Sequence, residues 1–514
     1  MNSIGLLTLI TFSPLLGVLL LAFVPKDKGG TVKFIGVLVT LIPLVLALGM
    51  FLKFDHTFDG MQFVDNLKWI HFMVGDNTIE FNYTLSVDGL SMPLVVLATI
   101  VSTMSALAAA NIIEKREKEY FILFFLMQIG LYGVFVAQNL FLFFIFFEIT
   151  LVTMFFLIGV WGNEGREDAA FTFLVYNGLG SAIMLISFII LLINAGYVEG
   201  ANGATFTSDI PTIIHNLTSP DSPYAQTGFS NVFKYGIFTS LLIAFGIKVP
   251  LFPFHSWILK VHYQAPASMS MILSGVLLKI GAYGLFRMEY SFFPEVTKSL
   301  AAFLVVLGLI NLLYGAILAF VQKDFKMVIV YSSISHMGII LLGLGAMNNS
   351  GFQGAVFQMV SHGLLSALLF FIIGVIYKRT HTAKMEDLGG MAATMPITSG
   401  FLLTAALASL GLPGMSGFVG EFLSYLGVFQ TMPILAAIGT LGIVFTSVYL
   451  LRAVLNVTYG PTAEKVKGLS DASALEFVPM VVLVAFVVLI GVFPSILSGP
   501  IQTTVQSLLS RIGG

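Results

Sequence analysis

The feature that most constrains this chain is a succession of fourteen apolar runs, each long enough to cross a lipid bilayer. A helix rises about 1.5 Å per residue and the hydrocarbon core is roughly 30 Å thick, so about 20 apolar residues suffice for one crossing. The runs lie near 4–24, 33–52, 90–112, 120–137, 139–160, 169–195, 233–257, 265–288, 299–321, 327–346, 353–377, 397–428, 432–455 and 477–495. Only "AQN" separates the fourth from the fifth. Hydrophobic residues make up 57% of the 514 and charged residues 10%, whereas about a quarter of a soluble domain is charged. The fold class that follows is an all-α polytopic membrane protein with about 14 transmembrane helices. The first run lacks a basic leader and its lysines come after it, so it reads as a retained helix and not a signal peptide.

Basic residues set the orientation. With the N-terminus outside, sixteen of the 24 Lys and Arg fall in cytoplasmic loops and six on the outer side, leaving Lys248 and Lys279 within spans. Loops rich in Lys and Arg stay in the cytoplasm, so both termini are expected on the outer side. A formal net charge of −2 argues against nucleic acid as a partner, and a count of zero cysteines removes disulfides, thiolate metal sites and cysteine-held iron–sulfur clusters. No cofactor is expected in this chain, and any electrons flow through another one. No GxxxxGK[ST] and no GxGxxG after a strand is present, so no soluble nucleotide domain is expected.

Outside the membrane, "NLKWIHFMVGDNTIEFNYTLSV" alternates apolar and polar residues across a "GDN" turn, which predicts an outer β-hairpin. Residues 197–232 read as an outer loop or short helices. Past Pro500, Ile501, Val505, Leu508, Leu509 and Ile512 recur at helical spacing, which predicts a short helix lying on the membrane surface.

Function in such a chain resides in the polar content of its spans. Glu148 sits mid-span in "FLFFIFFEITLVTMFFLIGVWG", Lys248 in "FGIKVPLFPFHSW" and Lys279 in "ILSGVLLKIGAYGLFR". Glu421 ends "LGLPGMSGFVGEF", and His336 and His362 add two imidazoles. A charge at mid-membrane costs roughly 2.5–3.5 kcal/mol even on lenient scales, so an ionisable group there is read first as functional. The structural alternatives are a packing ion pair for the charges and an interhelical hydrogen bonder for the histidines. His56, His71, His215 and His381 read as loop residues, and His255 as a partner for backbone freed by Pro253.

Pro250 removes a backbone donor and clashes with the preceding turn, so span 7 should break there. Gly411, Pro413, Gly414 and Gly417 crowd span 12 in the same way. Breaks five spans apart, each beside an ionisable residue, mark an internal repeat: spans 4–8 and 9–13 become two inverted five-helix units. The break in span 7 is expected to hydrate the helix beside Lys248. Burial disfavours the charged form of a side chain and pairing restores it. Parting and re-forming a Glu148–Lys248 pair therefore unloads and reloads a proton, with Lys279 next and His336 or His362 bridging to Glu421.

Taken together, "FFEITLVTMFFLIGVWG", "FGIKVPLFPFHSW", "ILSGVLLKIGAYGLFR", "YSSISHMG" and "LPGMSGFVGEF" resemble the antiporter-like subunits of proton-pumping NADH:quinone oxidoreductase, respiratory complex I, over roughly residues 85–460. The resemblance implies a Glu–Lys pair on spans 5 and 7, a central lysine on span 8 and a terminal residue on span 12. These fall on Glu148, Lys248, Lys279 and Glu421. A carboxylate at the last position resembles the subunit M (chain 4) branch, where sister branches and the cation antiporters usually carry lysine. The implied division is 1–112 for three N-terminal helices with the hairpin loop, 113–290 and 291–456 for the two repeats, and 457–514 for the last span and the amphipathic segment. The implied activity is proton translocation coupled to quinone reduction elsewhere in the complex, in a bacterial cell membrane, with sister membrane subunits as partners. A subunit of a multisubunit cation/proton antiporter and a non-conducting scaffold remain the alternatives. Relatives reading "WLPDAHxEAP" differ from "WILKVHYQAP" here, and Gln128 stands where a carboxylate is common. Lys260, Gln264 and Gln128 thus alter the family's cytoplasmic uptake route.

Overall fold

Eleven of the expected spans are single helices in the computed structural model, which describes residues 5–200, 203–222, 224 and 228–512. They are span 2 (Gly29–Lys53), span 3 (Ser91–Ile112), span 4 (Glu117–Val136), span 5 (Leu140–Trp161), span 6 (Arg166–Ala195) and span 8 (Ala267–Phe292). Span 9 (Ala301–Val321), span 10 (Phe325–Gly345), span 11 (Asn349–Thr380), span 13 (Pro433–Thr458) and span 14 (Ala474–Val492) complete the set. The other three are interrupted. Span 1 bends by 41° between Leu6–Phe12 and Pro14–Phe23, where Pro14 has no N–H to give the preceding turn. Span 7 divides into 7a (Asn231–Lys248) and 7b (Ser256–Gln264), and span 12 into 12a (Pro396–Ser409) and 12b (Ser416–Thr431).

Burial sorts the spans into axis and rim. Spans 8 and 11 are 100% buried over their most apolar stretch, whereas spans 2, 13 and 14 are 33% buried, so the former lie at the centre and the latter on the periphery. Span 8 has the lowest mean hydropathy of these at 1.6, whereas spans 2 and 14 reach 2.7. The central helices also carry buried polar residues, among them Ser274 and Lys279 on span 8 and Gln358 and His362 on span 11, which lipid would not tolerate.

The expected hairpin forms from β1 (Gln62–Val74) and β2 (Asn77–Val87), paired antiparallel. Residues 197–232 depart from the expected loop or helices alone: β3 (Tyr197–Gly200) and β4 (Gly203–Thr207) extend the sheet in the order β1-β2-β4-β3, and a helix follows at Ile210–Thr218. Strands this short, with no long apolar run, gave little signal. His71 lies in β1 and His215 in that helix, not in loops. The boundary of spans 4 and 5 is fixed by Asn139, whose Oδ1 accepts from the backbone N–H groups of Phe141 and Leu142 while its Nδ2 donates to Asp209 at 2.9 Å.

The C-terminal helix starts earlier than expected, at Ser495, and runs to Ile512. Ile501, Val505, Leu508 and Ile512 are buried against protein, so its apolar stripe covers other helices instead of lying on lipid. Gly89 N–H donates to Thr504 Oγ1 at 3.0 Å and Thr503 Oγ1 donates to the His56 carbonyl at 2.7 Å. Near the other end, Thr8 N and Oγ1 both donate to Asp65 of β1 at 2.8 Å. Both ends of the described chain therefore sit on the sheet-bearing face. On the opposite face the basic loops clasp the helix ends: Lys118 donates to the carbonyls of Ala22 and Val24, and Arg379 grips Glu476 with two nitrogens at 3.0 and 2.6 Å.

Candidate functional site

Lys248 is the last residue of 7a, at the end of a helix where the free carbonyls favour a cation. Its Nζ is buried and has no hydrogen-bond partner, and it lies 4.3 Å from the centre of the Phe147 ring and 5.7 Å from that of Phe173. Phe147 precedes Glu148 on span 5, whose Oε1 is likewise buried and unpartnered. The expected Glu148–Lys248 contact is thus not closed: the aromatic face holds the ammonium in place of the carboxylate.

The break in span 7 differs from the hydrated gap expected of it, because protein side chains take its free backbone groups. Asn311 of span 9 accepts from Phe252 N–H at 2.7 Å and donates to the Pro250 carbonyl at 3.1 Å, and Trp257 Nε1 donates to the Ile247 carbonyl at 2.9 Å. His255 bonds Tyr314 at 2.9 Å through Nε2 and does not serve the backbone. An amide presenting one donor and one acceptor suits a break that frees one of each. Asn311→Leu is therefore expected to leave two buried groups unsatisfied, at roughly 1–3 kcal/mol each. Lower complex content on native gels and a lower thermal midpoint in detergent are the readouts. Unchanged stability would show that the break needs no clamp.

Lys279 lies between two π-helical segments of span 8, Leu273–Leu277 and Leu285–Glu289. A π-turn frees a carbonyl from the α-helical ladder. Lys279 Nζ donates to the Ser274 carbonyl at 2.5 Å and lies 2.8 Å from Nδ1 of His362 on span 11. The His362 ring stacks on His336 of span 10, centroids 5.3 Å apart and 28° between planes. His336 Nδ1 is 3.4 Å from Glu421 Oε1, and its Nε2 is 3.2 Å from Ser409 Oγ at the end of 12a. Gln358 Nε2, which can only donate, lies 3.1 Å from His336 Nδ1, so Nδ1 accepts there and the neutral ring carries its proton on Nε2, donating to Ser409 Oγ. Lys279, His362, His336 and Glu421 are thus brought into one buried string, each in contact with the next. Glu148 and Lys248 stand apart from it.

Glu421 is set by the break before it. Gly411 has φ +76°, and a Cβ there would lie 2.7 Å from Glu421 Oε2, so the left-handed turn and the close carboxylate both call for glycine. Gly420 lets 12b approach span 11 until a Cβ would meet Gln358 N at 2.8 Å.

Several polar partners escaped the sequence reading. Gln358 Nε2 is 3.1 Å from His336 Nδ1, Ser409 holds the other side of the ring, and Arg287 bonds Asp88 at 2.6 Å. Their only signal was polarity inside an apolar run, which many structural residues share. On the opposite face from the sheet, Lys260 pairs with Asp168 at 3.1 Å and the Gln264 carbonyl accepts from Asn163 N–H at 2.9 Å. Gln128 is fully buried with both amide atoms unpartnered.

This chain matches two family descriptions: "NADH:quinone oxidoreductase/Mrp antiporter, TM" over residues 137–446 and "NADH-ubiquinone oxidoreductase chain 4, amino terminus" over residues 32–138. It is 36% identical to NADH-quinone oxidoreductase subunit M of Rhodobacter capsulatus, over 99% of this chain and 97% of that one. It is 37% identical to NAD(P)H-quinone oxidoreductase chain 4 1 of a Picosynechococcus species, over 99% and 92%. Its fold is similar to a chain of respiratory complex I from Thermus thermophilus, with TM-score 0.85 and 27% identity over 99% of this chain and 100% of that one. A chain of an archaeal membrane-bound sulfane sulfur reductase is similar at TM-score 0.81 and 26% identity, over 95% and 76%.

Proposed function

The chain belongs to the membrane family that NADH:quinone oxidoreductase shares with the Mrp antiporters, among relatives named subunit M or chain 4, and we propose that it moves protons there. It is an antiporter-like membrane subunit of a quinone oxidoreductase complex. It sits beside sister membrane subunits, and the redox groups lie on other chains. The observation that carries the reading is the run of contacts from Lys279 through His362 and His336 to Glu421 along the buried axis, hydrogen-bonded between Lys279 and His362 and stacked between the two imidazoles. In this reading the sheet-bearing face, with both ends of the chain, is the outer side of a bacterial cell membrane, as the distribution of basic loops supports.

Lys279 takes a proton on its amine and passes it to the His362 Nδ1 it already touches. No hydrogen bond joins the stacked His362 and His336 rings, so transfer between them takes a ring rotation or an intervening water; the imidazolium formed on His336 then gives its Nδ1 proton to the Glu421 carboxylate and returns to the Nε2–H tautomer. The Glu148 and Lys248 charges act as the switch: with the two apart, Lys248 is held over Phe147, and their approach changes the field in which Lys279 gains or loses its proton.

Purifying the tagged chain from membranes tests this. The expected result is copurification with quinone reductase activity that acidifies proteoliposomes without sodium. Copurification with sodium/proton exchange and no quinone reduction would place the chain on the antiporter side. Glu421 supplies a graded check in the same assay. Glu421→Ala removes the last acceptor and is expected to lower proton-coupled turnover. Glu421→Asp keeps a shorter carboxylate and loses less, and Glu421→Lys reverses the charge facing His336 and loses at least as much as Ala.

A further inference from the structure

Span 8 carries a second hydrogen-bonded line that the string to Glu421 does not use. Tyr283 and Arg287 follow Lys279 at i+4 and i+8, on the same face of the helix, where such neighbours lie about 6 Å apart. Tyr283 Oη donates to the Phe135 carbonyl at 3.1 Å and accepts from Arg287 Nε at 3.2 Å. Arg287 Nη2 then donates to Asp88 Oδ1 at 2.6 Å, an oxygen that also accepts from Leu90 N, Ser91 N and Ser91 Oγ. Asp88 lies just outside span 3; burial pushes its carboxyl up, but the Arg287 charge and these donors more than offset it and hold it below the usual carboxylate range.

This line ends in a cavity. A space of about 490 Å³ on the sheet-bearing face lies between the end of span 8, the helix Ile210–Thr218 and the C-terminal helix, and the Asp88–Arg287 pair forms part of its wall. Gln138, 1% exposed, lines it with an unpartnered Oε1, and Ser291, Thr504 and Arg511 also contribute. A buried ion pair, a buried orphan carbonyl and hydroxyls around one space make a polar chamber of a size that holds several waters. A packing role alone leaves the Gln138 carbonyl unexplained.

We infer that this cavity is a second outlet for protons from Lys279, gated by the Asp88–Arg287 pair. The inference rests on the proton-translocating reading above. When Lys279 bears a proton, its cation and the Arg287 guanidinium repel each other along one helix face, which favours swinging Arg287 into the cavity. That frees Asp88. Lys279 Nζ reaches back to the Ser274 carbonyl and touches His362, not Tyr283, so the proton it gives up, leaving a neutral amine, crosses on water admitted from the cavity to the Tyr283 hydroxyl, which accepts it, gives up its own and so delivers one proton to the Asp88 carboxylate. Asp88 then loses it to the outer solution and recaptures Arg287.

The chain has no cysteine, which allows a direct test. Ser291→Cys, inside the cavity, and Ser510→Cys, exposed on the C-terminal helix outside it, are made in the full complex. Each purified complex is labelled with a trimethylammonium-ethyl or a sulfonato-ethyl methanethiosulfonate. Labelling is quantified on this chain by mass spectrometry, and quinone reduction and lumen acidification are followed after reconstitution. The cationic adduct at Ser291→Cys is expected to slow proton release on the order of tenfold, the scale of field effects in a narrow cleft. The anionic adduct should slow it much less, thiol reduction should restore it, and Ser510→Cys should respond to neither. Failure to label Ser291→Cys, full labelling without effect, or equal loss from both adducts would overturn the outlet. If Lys279→Met stops pumping while the adducts do nothing, the outlet fails and the proton-translocating reading stands. If Lys279→Met pumps like the parent, that reading itself fails and the outlet with it.

Discussion

Lys279→Met is expected to lower quinone reductase activity on the order of a hundredfold in a complex that still assembles, the loss typical of removing a positioned proton-transfer group. Lys279 is the junction of the buried polar axis: its ammonium touches the Ser274 carbonyl on one side and His362 on the other. Methionine fills a similar volume without a titrating group, and replacing a buried charge by an apolar side chain of similar size is well tolerated by folding. The local cost is confined to the Ser274 carbonyl and the His362 Nδ1, which lose a donor at roughly 1–3 kcal/mol each. Activity is compared at equal complex content on native gels. Parent-level turnover would remove Lys279 from the pathway.

Glu148→Gln is expected to lower turnover about tenfold, corresponding to a charge coupling of about 1–2 kcal/mol across partly polar protein. The smaller figure follows from the geometry. Glu148 does not touch Lys248, so an effect of its charge is expected only through space, while Phe147 holds the ammonium at 4.3 Å. Glutamine keeps the shape and the hydrogen-bonding capacity of the side chain, so assembly should persist. Glu148→Asp, which keeps the charge, should recover most of the loss. Equal activity in the Gln and Asp variants would mean that the charge has no part in coupling.

Much of the architecture was legible in the sequence, for physical reasons that can be named residue by residue. Lipid demands long apolar runs, so the spans showed as hydropathy. Pro250 and the Gly411–Gly414 cluster cannot continue a helix, so the breaks in spans 7 and 12 showed as composition. The cost of a buried charge made Glu148, Lys248, Lys279 and Glu421 stand out. What stayed hidden depends on which helices meet and in what register. The Asn311 clamp on the span 7 break joins residues about sixty positions apart, and an asparagine in an apolar run looks the same whether it clamps a backbone or only caps a turn. The π-turns around Lys279 leave no mark in "ILSGVLLKIGAYGLFR", because hydropathy does not register an extra residue in a turn. The strands β3 and β4 are too short to show a period of two, and they form because β2 offers an edge to β4, which in turn pairs with β3.

The claim that this chain itself conducts protons along Lys279, His362, His336 and Glu421 is tested most directly by recording quinone reduction and lumen acidification together. The recording uses proteoliposomes carrying either the parent complex or Lys279→Met at equal content. The account predicts that the parent acidifies the lumen in step with quinone reduction, and that in the variant both signals fall together. An undiminished pH gradient per quinone reduced, at parent rates, in the Lys279→Met complex would contradict it.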